Sequence, residues 1–346
     1  MIGQSLPCGF VLVAIPLLLL STASAQGDRD AWSERELALI RSLLLDNLGI
    51  PPPDPSNRHA DDPDAASLGA RIFSDPRFSA SGKISCATCH RADYGFTDDL
   101  PLAKGVGTAN RRSMPAVGMA WQRWFFWDGR ADSLWAQALE PIENPKEHGI
   151  SRTRCAQLVS KHYSDAYEKA IGHLPDVDVS VLSPLARPSA KDKPAAEAWN
   201  AMSEKQRGQI TEIYVNTGKA LAAFVRTLKF APAPFDIYVR ALSTGDERGI
   251  KSLTEPQKKG LRLFIGKGQC INCHNGPLFS NGEFHHVGAP DKRVDRPDQG
   301  RGAVIERLAQ AEFGYFSRWS DADPKKHGAH VRFLNADPGR FQRAFK

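Results

Sequence analysis

The sequence has 346 residues, of which 41% are hydrophobic and 24% are charged, and its formal net charge is +6. This composition is ordinary for a folded protein with two domains, and it excludes both a disordered chain and a bundle of membrane-spanning helices. No long run of lysine and arginine accompanies the positive charge, so the sequence gives no indication of nucleic-acid binding.

The first 25 residues have the pattern of a secretory signal peptide. The apolar segment from Phe10 to Leu20 is too short to span a bilayer, and residues 23–25 after it read Ala-Ser-Ala, an A-x-A cleavage site. We therefore expect export to the periplasm, with no membrane-spanning segment left after residues 1–25 are removed.

Residues 26–66 are predicted to form an N-terminal helix and a linker. Apolar residues recur at helical spacing between Trp32 and Leu48, and Gly49 with the three prolines at 51–53 ends the pattern. A polar stretch then leads to the first of two similar units.

Two Cys-x-x-Cys-His motifs stand at residues 86–90 and 270–274. In such a motif the two thiols add across the vinyl groups of a haem, and the histidine supplies an axial nitrogen to its iron. One helical turn between the cysteines places both sulfurs at the same edge of the macrocycle. The sequence therefore predicts two covalently bound haem c groups, attached through Cys86, Cys89, Cys270 and Cys273, with His90 and His274 as axial ligands of the irons.

A zinc site or a thiol-redox site is the alternative interpretation of these motifs. A zinc ion would need two cysteine pairs close enough to share it, whereas these pairs lie far apart in the sequence. A thioredoxin-like motif does not need the trailing histidine, which follows both pairs here. Haem also agrees with export, because c-type attachment in bacteria takes place outside the cytoplasm.

A short helix is repeated together with each motif. Residues 66–73, which end in Phe73, precede the first motif, and residues 257–264, which end in Phe264, precede the second. The repetition indicates two related cytochrome c units. We therefore predict a mainly α fold with few or no strands and two cytochrome c-like haem domains: residues 67–200, with a linker at 173–199, and residues 201–346.

The strongest amphipathic pattern lies in the second of these ranges. Between Ile210 and Leu228 the apolar residues fall on one face of a helix, which we interpret as a core helix.

The first unit lacks an evident second axial ligand for its iron. Between Arg91 and Glu147 there is no histidine, and the only methionines are Met114 and Met119. An electron carrier fills both axial positions of a haem iron, whereas an enzyme that acts on peroxide leaves one position open. The pattern therefore favours catalysis at the first haem.

Residues 125–147 read FFWDGRADSLWAQALEPIENPKE, a segment that resembles a signature of the bacterial di-haem cytochrome c peroxidase and MauG family. The signature has F-W-D-G-R-A, then L-x-x-Q-A-x-x-P-I and a glutamate, and it lies between two haem motifs as it does here. The resemblance extends from about Leu68 to Lys346. It implies a peroxidatic first domain and an electron-transfer second domain.

The resemblance also implies roles for three side chains of this segment. Glu147 matches the family's distal glutamate, which acts as general acid and base on bound peroxide, and Gln137 matches the glutamine beside it. Trp127 matches the tryptophan between the two haems, which helps electrons or holes pass. On its own, an acid such as Glu147 is more often a solvated surface residue, so this role depends on the resemblance.

Two positions depart from the family pattern. Gly105 stands where many of these peroxidases have a removable histidine ligand, which predicts a first haem that is always open, as in the MauG branch. Ser113 stands where the family has an asparagine ligand of a calcium ion between the domains, so calcium is an expectation from the family alone.

The second unit matches the family as far as the sequence extends. Residues 275–280 and 284–288 fit its C-H-N-G-P and F-H-x-x-G patterns, in which we interpret His285 and His286 as structural and not as metal ligands. The family continues past the position of Lys346 to a methionine or tyrosine ligand of the second iron, and Tyr315 lies too early to match it. We therefore expect a second domain that is truncated, or a second iron without its usual sixth ligand.

The predicted function is that of a periplasmic peroxidase, which reduces hydrogen peroxide with electrons from a small cytochrome c or a cupredoxin. The first alternative is a MauG-like oxidase that modifies residues of a partner protein, and the second is a non-catalytic di-haem electron-transfer cytochrome. A homodimer is a further expectation, since dimers are common in the peroxidase branch.

Overall fold

The computed structural model of the protein describes residues 31–290, 295, 297–335 and 337–346. The predicted signal peptide at residues 1–25 lies outside the described residues. Within them the chain forms helices and no strand, and the backbone pairs between loops only at isolated bridges such as Phe125 with Ala131. The prediction of a mainly α fold is confirmed.

The α-helices of the described residues are numbered in chain order: α1 Glu34–Ser42, α2 Pro63–Phe73, α3 Cys86–Cys89, α4 Leu134–Glu143, α5 Arg152–His162, α6 Ser164–Ala170, α7 Lys193–Asn200, α8 Glu204–Thr227, α9 Pro234–Thr244, α10 Glu247–Ile250, α11 Glu255–Ile265 and α12 Ala329–Arg332. Short 3-10 helices lie between them, at Leu45–Asn47, Pro76–Phe78, Ala92–Tyr94, Met119–Trp121, Val179–Val181, Cys270–Asn272, Arg301–Ala303 and Ile305–Gln310. The two repeated helices of the sequence are α2 and α11.

The N-terminal helix is shorter than its apolar pattern predicted. A capping box between Ser33 and Glu36 begins α1, and the helix ends at Ser42 instead of continuing to Leu48. The backbone N–H of Leu45 donates to Asp236 Oδ1 over 2.9 Å, so a contact with α9 replaces the next intrahelical bond. Tertiary packing therefore ends a helix that the periodicity would extend.

The first core is built around the long helix α8. Residues from Ile210 to Arg226 are largely buried, and helices α2, α4 and α5 pack against them. The crossing with α2 is close because residue 69 is glycine: a Cβ there would overlap the backbone carbonyl of Ala220. A capping box of Ser203 and Gln206 begins α8.

Helix α8 follows the domain boundary predicted at residue 200, and that boundary stays a prediction. The apolar face of α8 packs in the first core, against α2, α4 and α5. The predicted linker at 173–199 also packs on this core, where Ala186 is fully buried and Trp199 is 9% exposed. The hydrophobic core thus groups residues up to Leu228 with the first unit.

A second, smaller core joins the N-terminal helix to the second unit. Trp32, Ile40 and Leu43 pack with Tyr238 of α9 and with apolar residues of α11. Trp32 Nε1 donates to Tyr238 Oη over 2.7 Å. None of the helices in the described ranges has the length and hydropathy that crossing a membrane requires.

The segment after the second haem motif returns to the first core. Phe313 packs on Trp135 and Tyr214, with ring centroids 6.5 and 5.9 Å away. The ammonium of Lys219, on α8, lies 2.6 Å from Asp321. The segment from Phe313 to Asp321 therefore ties the two units together across the first core.

Candidate functional site

A cavity of about 590 Å³ lies in the first unit, between α3, α4, α8 and the loop 103–116. Its volume is within the roughly 300–1,000 Å³ of most cofactor and ligand pockets. Every site residue predicted for the first unit lines it: Cys86, Cys89, His90, Trp127, Gln137 and Glu147. The fold thus brings side chains from separate stretches of the first unit to one cavity.

The cysteines of the first motif occupy the single turn of α3. The backbone N–H of Ser85 donates to Thr88 Oγ1 over 3.0 Å, which holds the start of this turn. Both thiols are free, and Cys89 Sγ lies 3.6 Å from the carbonyl oxygen of Lys104. This arrangement fits the covalent attachment of a haem along one edge.

His90 is oriented by a backbone carbonyl. Its Nδ1 lies 2.9 Å from the carbonyl oxygen of Phe96, so Nδ1 carries the proton and Nε2 keeps a lone pair. Burial lowers the pKa of His90, which favours the neutral imidazole that a metal ion requires. The histidine therefore has the tautomer and charge of an axial ligand.

The second motif repeats this geometry. His274 Nδ1 lies 3.0 Å from the carbonyl oxygen of Phe279. The ring of Phe264 packs on His274 at 6.5 Å and 42°, and Phe73 packs on His90 at 6.2 Å and 42°. The duplication seen in the sequence thus extends to the environment of each histidine, although His274 is exposed.

Helix α4 presents Gln137 to the cavity, and the chain then turns back. Pro141 has no N–H, so α4 cannot continue its bonding pattern at that position. The backbone N–H of His148 donates to the carbonyl of Pro141 over 3.1 Å, and that of Ile150 to Ile142 over 3.0 Å. Because the chain reverses here, Glu147 lines the same cavity as Gln137.

Glu147 is half-buried and has a hydrogen-bonded carboxylate. Its Oε1 accepts a bond of 2.7 Å from Asn144 Nδ2. Burial raises the pKa of Glu147, and the nearby Glu140 carboxylate raises it further, while Arg130 and the Asn144 amide lower it. A carboxyl group whose pKa is moved toward neutrality is suited to accept and return a proton.

The loop around Gly105 packs directly on the backbone of Glu147. Val106 N–H donates to the carbonyl of Glu147 over 2.9 Å, and Gly107 N–H donates to that of Lys146 over 3.0 Å. A Cβ on residue 105 would lie 2.6 Å from Glu147 Cα, closer than side chains approach. In this loop conformation, residue 105 has no room for any side chain.

Trp127 belongs to a tight turn that contacts both units. Trp127 Nε1 donates to the carbonyl of Arg112 over 2.8 Å while the ring lines the cavity. Two residues on, Gly129 has a φ of +66°, and a Cβ there would overlap the ring of Phe284 in the second unit. The same turn thus lines the first cavity through Trp127 and contacts the second unit through Gly129, two residues later.

The other side chains singled out in the sequence have structural partners. Ser113 Oγ donates to Asp98 Oδ2 over 2.8 Å, and no group of three or more His, Cys, Asp or Glu in the described ranges is arranged to hold a metal ion. His285 lies within 3.1 Å of Asn281, and its backbone pairs with Phe345. Tyr315 is 9% exposed, with its N–H 3.0 Å from the carboxylate of Asp132.

Sequence reasoning missed two residues of the cavity wall. Asn144 bonds Glu147, and its Oδ1 accepts from the N–H of Lys146 two residues on, an Asx turn that the asparagine before Pro145 could have indicated. His148 is buried with Nδ1 2.8 Å from the carbonyl of Phe78 and Nε2 3.8 Å from Cys86 Sγ. No local signal marks His148, because both of its partners are distant in sequence.

Arg111 is a third residue that the sequence did not indicate. Its guanidinium lies 2.5 Å from Asp128 and 2.8 Å from Asp298, so it joins the 125–131 turn to the second unit. Such a pairing depends on the tertiary fold alone.

Comparison with known proteins relates the chain to di-haem enzymes. A family model described as di-haem cytochrome c peroxidase matches residues 63–244, which include the first haem motif and the segment 125–147. The chain is 33% identical over 269 residues to the methylamine utilization protein MauG of Methylorubrum extorquens, covering 77% of this chain and 64% of that protein. It is 30% identical over 305 residues to the cytochrome c551 peroxidase of Pseudomonas aeruginosa, covering 85% and 74%.

Coverage of the relatives is partial. A second MauG, from Methylophilus methylotrophus, is 34% identical and is covered over 59% of its length. The chain therefore spans about 59–64% of the length of these two MauG relatives.

Solved structures agree on the fold. The diheme peroxidase BthA from Burkholderia thailandensis aligns with a TM-score of 0.54 at 19% identity, covering 85% of this chain and 67% of that one. A MauG-like protein associated with microbial copper homeostasis aligns with a TM-score of 0.51 at 20% identity, covering 90% of both chains.

Proposed function

Since this chain belongs to the di-haem cytochrome c peroxidase family, we propose that it is a periplasmic di-haem peroxidase, which reduces hydrogen peroxide with electrons from a small cytochrome c or a cupredoxin. One observation carries this proposal: Cys86, Cys89 and His90 line the same cavity as Gln137 and Glu147. In the balanced reaction, one hydrogen peroxide, two electrons and two protons give two molecules of water.

The residues present fit two haem c groups. Cys86 and Cys89 would hold the first, and Cys270 and Cys273 the second, with iron ligated by the histidine of each motif. The support is that both histidines are held through Nδ1, which leaves Nε2 for the metal. When bound, the first haem would supply a redox-active iron that can react with peroxide and accept its oxidising equivalents.

Glu147 is the proposed general acid and base. Its carboxylate would take the proton from one oxygen of peroxide and return it to the other, so that the O–O bond breaks and the protonated oxygen leaves as water. The remaining oxygen becomes the second water when two electrons and two protons are supplied. The raised pKa of Glu147 supports this role, since a carboxyl group poised nearer neutrality both accepts and releases a proton readily. Gln137, on the same wall, has an amide that can donate to a peroxide oxygen and orient it.

Trp127 is proposed to lie on the electron path between the units. Its ring lines the first cavity, and the same turn contacts Phe284 through Gly129. Electrons would enter at the second haem, which Cys270, Cys273 and His274 would hold.

The MauG-like oxidase is the second candidate function. It is favoured by Gly105, because the loop packs on Glu147 too closely for a histidine ligand at that position. Without such a histidine the first iron would be open with no reductive activation, which the family resemblance associates with the MauG branch. A non-catalytic cytochrome is less well supported, since it gives Gln137 and Glu147 no task.

We further propose two haem domains whose boundary lies after α8, because the first core continues to Leu228. Calcium and a homodimer stay predictions from the family. Metal analysis of the purified protein and its mass in solution would test them.

The test of the proposed function uses haem-loaded protein from a host that matures c-type cytochromes. Acid-acetone extraction should leave two haems per chain, and peroxide should drive rapid oxidation of a reduced small cytochrome c. A long-lived oxidised state without such turnover would support the oxidase instead. Two six-coordinate low-spin irons with no peroxide consumption would overturn both enzymatic proposals.

A further inference from the structure

We propose that Asn144 is a positioning residue for Glu147, and that the loop 105–107 holds the Glu147 backbone so that the carboxylate is oriented before peroxide arrives. This assignment rests on the proposed function, because it gives the peroxidase a preformed acid–base group. Neither Asn144 nor the loop is required to touch peroxide or haem.

The amide of Asn144 is held at both ends. Its Nδ2 donates to Glu147 Oε1 over 2.7 Å, and its Oδ1 accepts from the backbone N–H of Lys146 over 3.0 Å. The backbone N–H of Glu147 also donates to the carbonyl of Asn144 over 3.0 Å. Rotation of the amide would break two bonds at once, so its donor stays directed at the carboxylate.

The loop constrains the same glutamate from the other side. Val106 bonds the carbonyl of Glu147, Gly107 bonds that of Lys146, and Gly105 N–H donates to Gly107 over 2.9 Å, which closes the loop. The approach depends on a missing side chain, since a Cβ on residue 105 would lie 2.6 Å from Glu147 Cα. The loop 105–107 therefore positions the backbone of Glu147, and Asn144 positions its side chain.

The two oxygens of the Glu147 carboxylate differ in their contacts. Oε1 is engaged by the Asn144 amide, so proton exchange with peroxide is left to Oε2. A charge-assisted hydrogen bond stabilises the ionised carboxylate, and its loss makes the carboxyl group harder to ionise. Removal of the amide should therefore alter the orientation of Glu147 and also the pH at which it accepts a proton.

The first experiment compares Asn144→Ala, Asn144→Asp and wild type as two-haem proteins, by the rate of peroxide reaction across pH. We expect a loss of roughly 10–10²-fold for both variants, with the acidic limb of the profile moved to higher pH. Asn144→Asp keeps the shape and the acceptor for Lys146 but replaces the donor with a second carboxyl group, so it should move the acidic limb to higher pH than Asn144→Ala does. A purely structural role of Asn144 would leave the pH profile of Asn144→Ala unchanged. Asn47→Ala, which removes a bond of equal length near α1, is the matched control.

The second experiment replaces glycines of the loop. A Cβ on residue 107 would meet Lys146 Cα at 3.4 Å, an ordinary contact, so Gly107→Ala should behave as wild type. Gly105→Ala should lose activity by a factor similar to that of Asn144→Ala while both haems stay attached.

The outcomes separate this assignment from the proposed function. Wild-type rates and pH profiles in Asn144→Ala and Asn144→Asp would overturn the positioning role and leave the peroxidase standing. A wild-type protein that holds two haems and does not react with peroxide would overturn the proposed function, and the positioning role with it.

Discussion

His90 and Phe96 are joined by a hydrogen bond of 2.9 Å from the imidazole Nδ1 to a carbonyl oxygen, and Phe96 holds that carbonyl at a φ of +58°. The second unit repeats the pair, with His274 3.0 Å from the carbonyl of Phe279 and a φ of +51° at Phe279. Bulky residues rarely adopt the left-handed region because of its steric cost. Its occurrence at both motifs indicates that the carbonyl direction matters for each histidine.

The strain at Phe96 can be measured with two substitutions that both remove its ring. Glycine adopts a φ of +58° freely, whereas β-branched valine does not, so Phe96→Val should be less stable than Phe96→Gly by about 1–2 kcal/mol. Denaturant unfolding of the two haem-loaded variants measures the difference. A more stable Phe96→Val would mean that side-chain packing outweighs backbone conformation at this position.

Glu147→Gln should separate haem attachment from chemistry. Both haems should remain attached, because the substitution leaves the cysteines and histidines in place, and peroxide cleavage should slow by roughly 10²–10⁴-fold. Stopped-flow spectra after peroxide addition give the rate. Glu197→Gln is the control, since Glu197 is an exposed residue of α7 that does not line the cavity; an unchanged rate in Glu147→Gln would remove that residue from the mechanism.

Asp132 should make stability depend on pH in the acidic range. Burial raises its pKa from 3.8 to about 6, so the folded protein binds a proton that the unfolded chain has already released. The free energy of unfolding should therefore fall as the pH rises from about 4 to 6, by at most 2–3 kcal/mol from this group.

Asp132→Asn keeps an acceptor for the N–H of Tyr315 and should abolish this component of the pH dependence. Unfolding of wild type and variant at several pH values gives the difference. Parallel curves for the two proteins would show that Asp132 ionises in the folded state as it does in the unfolded chain.

Asp321 should stabilise the first core through Lys219. The lysine is 3% exposed, and its ammonium lies 2.6 Å from Asp321, so Asp321→Asn leaves a buried charge without its carboxylate. We expect a loss of roughly 2–4 kcal/mol in the free energy of unfolding. Asp323→Asn removes an exposed ion pair with Lys326 and keeps an acceptor for the N–H of Lys325, so it should change stability by less than about 0.5 kcal/mol.

Local patterns predicted much of the site. The two Cys-x-x-Cys-His motifs, the helices before them and the amphipathic face of α8 all depend on neighbours within a few turns. The resemblance of residues 125–147 to a known signature selected Trp127, Gln137 and Glu147, and all three line one cavity. These features depend on residues that are close in the sequence, so the residue types and their spacing are enough to predict them.

By itself, the sequence determined that two haem motifs, each preceded by a helix ending in phenylalanine, occur in a helical chain. Only the tertiary structure decided that α8 joins the first core, that Gly105 packs on Glu147 and that Asn144 holds its carboxylate. The physical reason is that periodicity shows which face of a helix is buried but not which element buries it. Contacts between backbones, and between buried charges, form only when distant segments pack together.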